Sequence, residues 1–196
     1  MDLRHISFRL LEVFMSVVKT GSISETARRL HLTLNGGSRG RCKIAMVNTA
    51  QYILPKLLGP YSNLHPHVEL PLEIGNRAEV LDRFERGEDD IYVFSHPPSL
   101  ESAQAARFLH NPLEFIVPLN HPLAHVKAVK LTDLMQYRFL LRENGSATRM
   151  LFESELQSRG LVLSDSVQMA SNEAIRVAVA SGMGIAVLSR HVLATD

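Results

Sequence analysis

The chain has 196 residues, which is long enough for one domain with a substantial core or for a small module joined to a larger one. Hydrophobic residues make up 45% and charged residues 21%, as in an ordinary globular protein, and the formal net charge of +1 gives no sign of a polyanionic partner. A single cysteine, Cys42, excludes a disulfide framework, and the sequence shows neither a signal peptide nor a bilayer-spanning apolar run, so we expect a cytoplasmic location.

The charge is unevenly distributed along the chain. Residues 1–43 carry eight basic and three acidic side chains, a net of +5, whereas the remainder has a net of −4. A basic N-terminal module on an acidic body suits contact with a nucleic acid at one end. An ordinary solvated face explains the same asymmetry, so charge alone leaves both interpretations open.

The N-terminal segment predicts two short helices. Residues 7–19 have apolar side chains at helical spacing, and Gly21 follows as a stop signal. Residues 22–25 (Ser-Ile-Ser-Glu) have the form of a capping box that opens a second helix. Two short helices joined by a tight turn are the front half of a helix-turn-helix, so we predict a partial helix-turn-helix over residues 1–33.

A glycine-rich stretch follows where a third helix would be expected. Three glycines fall within five residues (36–40), and each costs about 1 kcal/mol in a helix relative to alanine. The sequence therefore predicts a flexible linker and domain boundary over residues 34–41.

From Cys42 onward, strand and helix patterns alternate, which predicts an α/β fold with mostly parallel sheets covered by helices. The predicted strands are residues 43–48, 68–74, 91–95, 107–109, 113–119, 138–141, 167–170 and 185–188. The predicted helices are residues 49–64 with a break at Pro55, 76–86, a short turn at 132–135, 147–159 and 172–181.

Polar clusters fall where four of these strands give way to helices, at residues 48–51, 75–77, 145–149 and 171–173. In open parallel sheets ligands bind outside the carboxyl ends of the strands, where helix N-termini favour anions. We expect hydroxyls and amides to orient an anionic ligand and Arg149 to pair with it. The orienting side chains are those of Thr49, Ser146, Thr148 and Asn172.

Each cluster alone also has a simpler interpretation, since Ser, Thr and Asn before a helix are commonly N-caps. Four clusters in two groups, one on each side of the Pro97-Pro98 dipeptide, favour a ligand cleft. No metal is expected, because the histidine pairs at 65/67 and 121/125 lack further ligands. Catalysis is not supported, since there is no nucleophile elbow or phosphate loop and Cys42 begins an apolar strand.

Several motifs resemble a known family. Residues 1–14, 20–24 and 27–33 are similar to the start of LysR-type transcriptional regulators. Residues 75–81, with Glu-Asp-Asp-Ile-Tyr at 88–92, resemble the branch that controls carbon-fixation (RuBisCO) operons, as do the two motifs Leu-Arg-Glu-Asn-Gly-Ser-Ala-Thr-Arg (141–149) and Ser-Asn-Glu-Ala-Ile (171–175). The resemblance covers nearly the whole chain except residues 34–41.

The resemblance implies a winged helix-turn-helix, a linker helix for dimerisation and a two-subdomain effector domain like a periplasmic binding protein. The effector domain would be residues 42–196, with subdomain I at about 42–95, subdomain II at about 107–188 and the effector between them. The implied effector is a phosphorylated sugar, an organic acid or a nicotinamide nucleotide, with no cofactor. Combined with the polar clusters, it gives the expected effector-binding residues Asn48, Thr49, Ala50, Gln51, Gly75, Asn76, His96, Pro97, Ser146, Thr148, Arg149, Ser171 and Asn172. The expected DNA-binding residues are Arg4, Ser24, Arg28 and Thr33.

The sequence departs from the family at two places. After Thr33 the family continues with a recognition helix, a wing and a linker helix, whereas this chain has the glycine-rich stretch. Family members also continue beyond the strand at 185–188 to complete subdomain I, so an unpaired sheet edge is expected here. We therefore expect a regulator that responds to a small anionic metabolite, homo-oligomeric in the family, whose DNA reading is impaired. The alternative is a stand-alone small-molecule-binding module without DNA binding; an enzyme on a binding-protein fold comes third.

Overall fold

A computed structural model of the protein describes residues 40–97 and 107–194. The chain divides into two compact units between His110 and Asn111, and each is an α/β unit. The predicted partial helix-turn-helix and all but the last two residues of the predicted linker lie outside the described residues. Within the described ranges, no helix is both long and apolar enough to cross a membrane.

The first unit contains two parallel sheets. A three-stranded sheet has the order β4-β2-β5, and β1 pairs with β3 separately. The strands are β1 Gly40–Arg41, β2 Ile44–Val47, β3 Val68–Glu69, β4 Leu72–Gly75 and β5 Ile91–Val93. The helices are a 3-10 helix over Asn48–Tyr52, α1 Leu54–Leu64 and α2 Arg77–Glu85.

Strand β2 is the centre of the first unit's core. All four of its residues are buried, because a central parallel strand is covered on both faces and contains apolar residues without alternation. Ile44 lies opposite Leu72 of β4 and Ile91 of β5. Leu54 of α1 and Val80 of α2, each 1% exposed, complete this core from the helices.

The first unit differs from the sequence prediction at two places around proline. The predicted strand 68–74 is two strands in different sheets, because Pro71 has no N–H to continue a ladder, although its carbonyl accepts from Ile44 N at 2.9 Å. The helical break falls at Ile53, so that Pro55 lies in the first turn of α1, where a missing N–H costs no hydrogen bond. The end of the predicted linker is also a strand, since Gly40–Arg41 pairs with Val68–Glu69.

The second unit has one four-stranded sheet in the order β6-β9-β7-β8. Strands β7, β8 and β9 are parallel, and β6 runs antiparallel to β9. The strands are β6 Leu113–Ile116, β7 Arg138–Arg142, β8 Asp165–Met169 and β9 Ile185–Ser189. The helices are α3 Leu131–Leu134, α4 Ala147–Ser158, α5 Asn172–Ala180 and α6 Arg190–Leu193.

Helices cover both faces of this sheet. Phe139 and Leu141 of β7 pack with Phe152 and Leu156 of α4 in one apolar cluster. The two-residue period of a strand directs Leu140 to the opposite face, and α5 packs on β7, β8 and β9. The predicted strand at residues 107–109 is wrong: these residues have no regular structure, and Phe108 packs against the core of the first unit.

Candidate functional site

In the first unit, the predicted effector-binding residues come together at one edge of the sheet. Strands β4, β2 and β5 are parallel, so their carboxyl ends share an edge. Asn48, Thr49, Ala50 and Gln51 form the 3-10 helix directly after β2, and Thr49 is buried. Gly75 ends β4 and is followed by Asn76, while His96 and Pro97 follow β5 and are exposed.

Asn76 serves as the N-cap of α2. Its Oδ1 accepts from Glu79 N at 3.1 Å, and its own N–H donates to Glu79 Oε2 at 2.7 Å, which is a complete capping box. A Cβ atom on Gly75 would lie 2.8 Å from Glu79 Oε2, so glycine at this position allows the box to close. The capping interpretation therefore accounts for both residues without a ligand.

In the second unit, the predicted residues lie at the carboxyl edge of β7 and β8. Arg142 and Met169, the last residues of these parallel strands, are paired in register. Ser146 and Thr148 stand at the start of α4 and are buried. Ser171 and Asn172 stand at the start of α5. This edge therefore combines two helix N-termini with hydroxyl and amide side chains, a combination that favours oxyanions.

The two serines that precede these helices differ in their hydrogen bonds. Ser171 caps α5, since its Oγ accepts from Ala174 N at 3.2 Å. Ser146 makes no side-chain cap hydrogen bond to α4, although it occupies the N-cap position and is 4% exposed. The turn before it needs Gly145, whose φ of 90° lies in the left-handed region. The usual capping hydrogen bond, from a first-turn N–H of α4 to the hydroxyl of Ser146, is thus absent.

Arg149 is held by the protein itself. Its Nε donates to Glu153 Oε1 at 2.7 Å, and its Nη1 donates to Gln168 Oε1 at 2.8 Å and to the carbonyl of Arg142 at 3.2 Å. It also lines a cavity of about 310 Å³ beside residues 144–146. The guanidinium that the sequence suggested as an anion partner therefore makes three hydrogen bonds within the protein, through Nε and Nη1.

The sequence prediction missed Arg142. This arginine is 3% exposed and makes a bidentate pair with Glu143, with Nε–Oε2 at 2.8 Å and Nη2–Oε1 at 2.9 Å. Its Nη1 donates to Oδ1 of Asn172 at 2.5 Å. The signal available in the sequence was an Arg-Glu pair that ends the apolar run Phe-Leu-Leu at residues 139–141.

Asn172 is itself unusual. It is 3% exposed, and its Nδ2 is the only buried side-chain nitrogen or oxygen in residues 40–97 and 107–194 that has no hydrogen-bond partner within the protein. Leaving a buried donor unpaired costs on the order of 1–3 kcal/mol. A donor without a protein partner at the carboxyl edge of a parallel sheet makes this edge a candidate for a ligand that accepts hydrogen bonds.

The predicted DNA-binding residues Arg4, Ser24, Arg28 and Thr33 lie outside the described residues. In the part of the chain that the structure describes, no three side chains of His, Cys, Asp or Glu are grouped closely enough to hold a metal ion.

Comparison with known proteins adds three findings of sequence similarity. The family model of the LysR substrate binding domain matches residues 35–196. The RuBisCO operon transcriptional regulator of Acidithiobacillus ferrooxidans is 37% identical over 163 residues, which are 83% of this chain and 53% of that protein. The transcriptional activator CmpR of Synechocystis is 36% identical over 83% of this chain and 54% of its own length. The chain thus spans about half the length of these relatives, both of which are transcriptional regulators.

One solved structure is similar to this chain in both sequence and fold. The regulatory domain of CcmR from Synechocystis PCC6803, in complex with 2-PG, is 36% identical with a TM-score of 0.73. The match covers 81% of this chain and 76% of that domain. The expected α/β architecture is therefore confirmed for the residues that the structure describes.

Proposed function

The chain belongs to the LysR substrate-binding domain family, as its motifs predicted, and on this premise we propose that it is the effector-sensing part of a transcriptional regulator of carbon-fixation genes. The support for the target genes is the 37% identity to a RuBisCO operon regulator. The support for a sensing role is the fold shared with the CcmR regulatory domain.

The proposed effector is a small organic anion with a carboxylate, a phosphate or both. This proposal rests on the carboxyl edge of β7 and β8 in the second unit. Two helices begin there, Asn172 has a buried amide donor without a protein partner, and Ser146 makes no capping hydrogen bond. Groups of this kind donate hydrogen bonds to oxyanions and place partial positive charge near them. 2-PG (2-phosphoglycolate), the molecule in the CcmR complex, has both anionic groups and is therefore the first probe.

We further propose which side chains contact the effector. In the second unit these are Ser146, Thr148 and Asn172. In the first unit they are Asn48, Thr49, Ala50 and Gln51 of the 3-10 helix, together with His96 and Pro97 after β5. The turns around these groups are shaped by Gly75, Asn76 and Ser171. Arg149 does not contact the effector in this proposal but holds α4, β7 and β8 together.

Isothermal titration calorimetry with 2-PG tests the sensing role. Glycolate and inorganic phosphate serve as half-ligands, and neutral glycerol serves as the uncharged control. Saturable binding of 2-PG that exceeds both half-ligands supports the proposal. Absence of binding by 2-PG, by sugar phosphates and by nicotinamide nucleotides at millimolar concentration would contradict it.

A second candidate, a stand-alone binding module without DNA binding, is favoured by the glycine-rich residues 34–41, which stand where the family has a recognition helix. Gel-shift assays of the full chain with a RuBisCO operon promoter distinguish the two candidates. A sequence-specific shift at low salt supports a regulator that reads DNA. Retained 2-PG binding without a shift supports the module.

A further inference from the structure

Resting on the proposed function, we propose that Arg142 is a positioning residue: it fixes the amide of Asn172 so that Nδ2 is offered to the effector. The subsite formed by this amide accordingly selects ligand oxygens that accept hydrogen bonds, above all carboxylate and phosphate oxygens. Arg142 does not contact the ligand in this arrangement. It acts through Asn172.

The orientation of the amide follows from the donors around it. A guanidinium has only donors, so the atom of Asn172 that meets Arg142 Nη1 at 2.5 Å must be the oxygen. Rotating the amide by 180° would bring Nδ2 against Nη1, two donors in contact. The unpaired atom is therefore Nδ2, in agreement with its lack of any partner.

The guanidinium of Arg142 is held in its orientation towards Asn172. Glu143 accepts from both Nε and Nη2, which fixes the plane of the guanidinium and directs Nη1 towards Asn172. The side chain of Arg142 is 2% exposed and that of Glu143 is 15% exposed, so little water competes for these bonds. The pair with Glu143 also compensates the buried charge of Arg142, which leaves the amide rather than the cation to meet the ligand.

The chemistry of the subsite follows from its single unpaired group. An N–H donor is satisfied by an acceptor, and an ionised oxygen forms a stronger bond than a neutral one. Asn172 is also the first residue of α5, where the free N–H groups of a helix favour negative charge. A ligand that presented a hydroxyl hydrogen or an amino group to Nδ2 would leave both donors unpaired.

Asn172→Asp is the sharpest test, because it keeps the size and the bond to Arg142 but replaces the donor by an acceptor with negative charge. We expect 2-PG to bind at least tenfold more weakly, while the urea midpoint is equal to or higher than that of the wild type. A midpoint that does not fall is expected because the new carboxylate pairs with Arg142 at a helix N-terminus. Asn63→Asp, the same change at an exposed position of α1, is the control and should bind like the wild type.

Arg142→Lys tests the positioning role separately. Lysine retains the charge but cannot make the bidentate pair with Glu143, so the amide of Asn172 gains freedom to rotate. We expect weaker binding of 2-PG in this variant, and no further loss when it is added to Asn172→Asp, because Arg142 acts only through the amide. Independent losses that multiply in the double variant would overturn the positioning role.

The outcomes separate the two proposals. If the wild type binds 2-PG and Asn172→Asp binds it equally well, the subsite inference is wrong while the sensing function stands. A lowered urea midpoint in Asn172→Asp would contradict the close pairing of residue 172 with Arg142, without reference to any ligand. If the wild type and Asn63→Asp bind none of the anionic probes, the proposed function is wrong and the subsite has no ligand.

Discussion

Arg149 Nη1 lies 2.8 Å from Gln168 Oε1, which connects the first turn of α4 to the edge strand β8. The same nitrogen donates to the carbonyl of Arg142, so a single guanidinium joins the helix, the end of β7 and β8. Its side chain is 20% exposed and is further paired with Glu153. The carboxyl edge of the second unit is thereby held in place by hydrogen bonds within the protein.

Replacing this arginine should therefore reduce stability. Arg149→Met removes three hydrogen bonds while retaining most of the aliphatic contacts, and we expect a loss of about 1–2 kcal/mol in the free energy of unfolding. Urea denaturation followed by circular dichroism measures it. Arg159→Met, at the C-cap of the same helix, is the control: its pair with Glu155 is half exposed, so the loss of stability should stay within about 0.5 kcal/mol. Equal effects of the two substitutions would contradict the scaffold role.

Gly184, just before β9, leaves no room for a side chain. A Cβ atom there would lie 2.6 Å from the carbonyl oxygen of Arg138, at the start of the neighbouring strand β7. Because backbone must shift, Gly184→Ala should cost about 1–3 kcal/mol of stability. Gly59→Ala in α1 would meet no atom within 4 Å beyond its own stretch of helix, and because Pro60 follows it and offsets the helix-forming gain of alanine, it should change stability by less than about 1 kcal/mol. Thermal unfolding compares them, and an unchanged melting temperature for Gly184→Ala would contradict the close approach.

Substitutions of Asn76 can distinguish its role as a helix cap from the predicted role as a ligand contact. Asn76→Ala removes one half of the capping box and should cost about 1 kcal/mol in the free energy of unfolding. Asn76→Asp keeps an oxygen that can accept from Glu79 N, so it should unfold like the wild type. If Asn76 only caps α2, the affinity for 2-PG measured by calorimetry changes less than threefold in Asn76→Asp; a tenfold loss would make Asn76 a ligand contact.

Cys42 makes the free energy of unfolding depend on pH in the alkaline range. Burial, together with the negative charge of Asp90, raises the pKa of its thiol from 9.0 to about 12. The unfolded chain loses this proton near pH 9, whereas the folded protein keeps it until about pH 12. The contribution is therefore fully present below pH 9 and is lost progressively between pH 9 and 12. Urea unfolding at pH 8 to 10.5 should show a steeper loss for the wild type than for Cys42→Ala, and parallel losses would contradict it.

The apolar pattern predicted the fold because burial determines it. Strand β2 has four consecutive apolar residues, as a doubly covered parallel strand requires, and the observed strand lies within the predicted range. The pattern failed where backbone hydrogen bonding, rather than burial, determines the structure. Residues 68–74 have a continuous strand pattern, but Pro71 divides them between two sheets. A hydropathy pattern does not register a missing N–H.

The candidate site could be predicted less well than the fold. Ser146 and Ser171 both precede a helix, and only the three-dimensional structure shows that Ser171 caps its helix whereas Ser146 does not. Arg142 ends an apolar strand, and its role depends on Asn172, thirty residues later in the chain. Strand-to-helix positions thus indicated the edges at which the structure places these residues. Which side chains remain unpaired there depends on contacts between distant segments.

The side-chain amide of Asn172 offers the most direct measurement. In nitrogen-15 spectra of the full chain, its NH₂ pair can be assigned by its loss in Asn172→Asp and followed during a titration with 2-PG. We expect this pair to shift saturably, with the same dissociation constant as calorimetry, while the amide of Asn63 stays in place. An Asn172 amide that does not move at a saturating concentration of a bound anion would contradict the account.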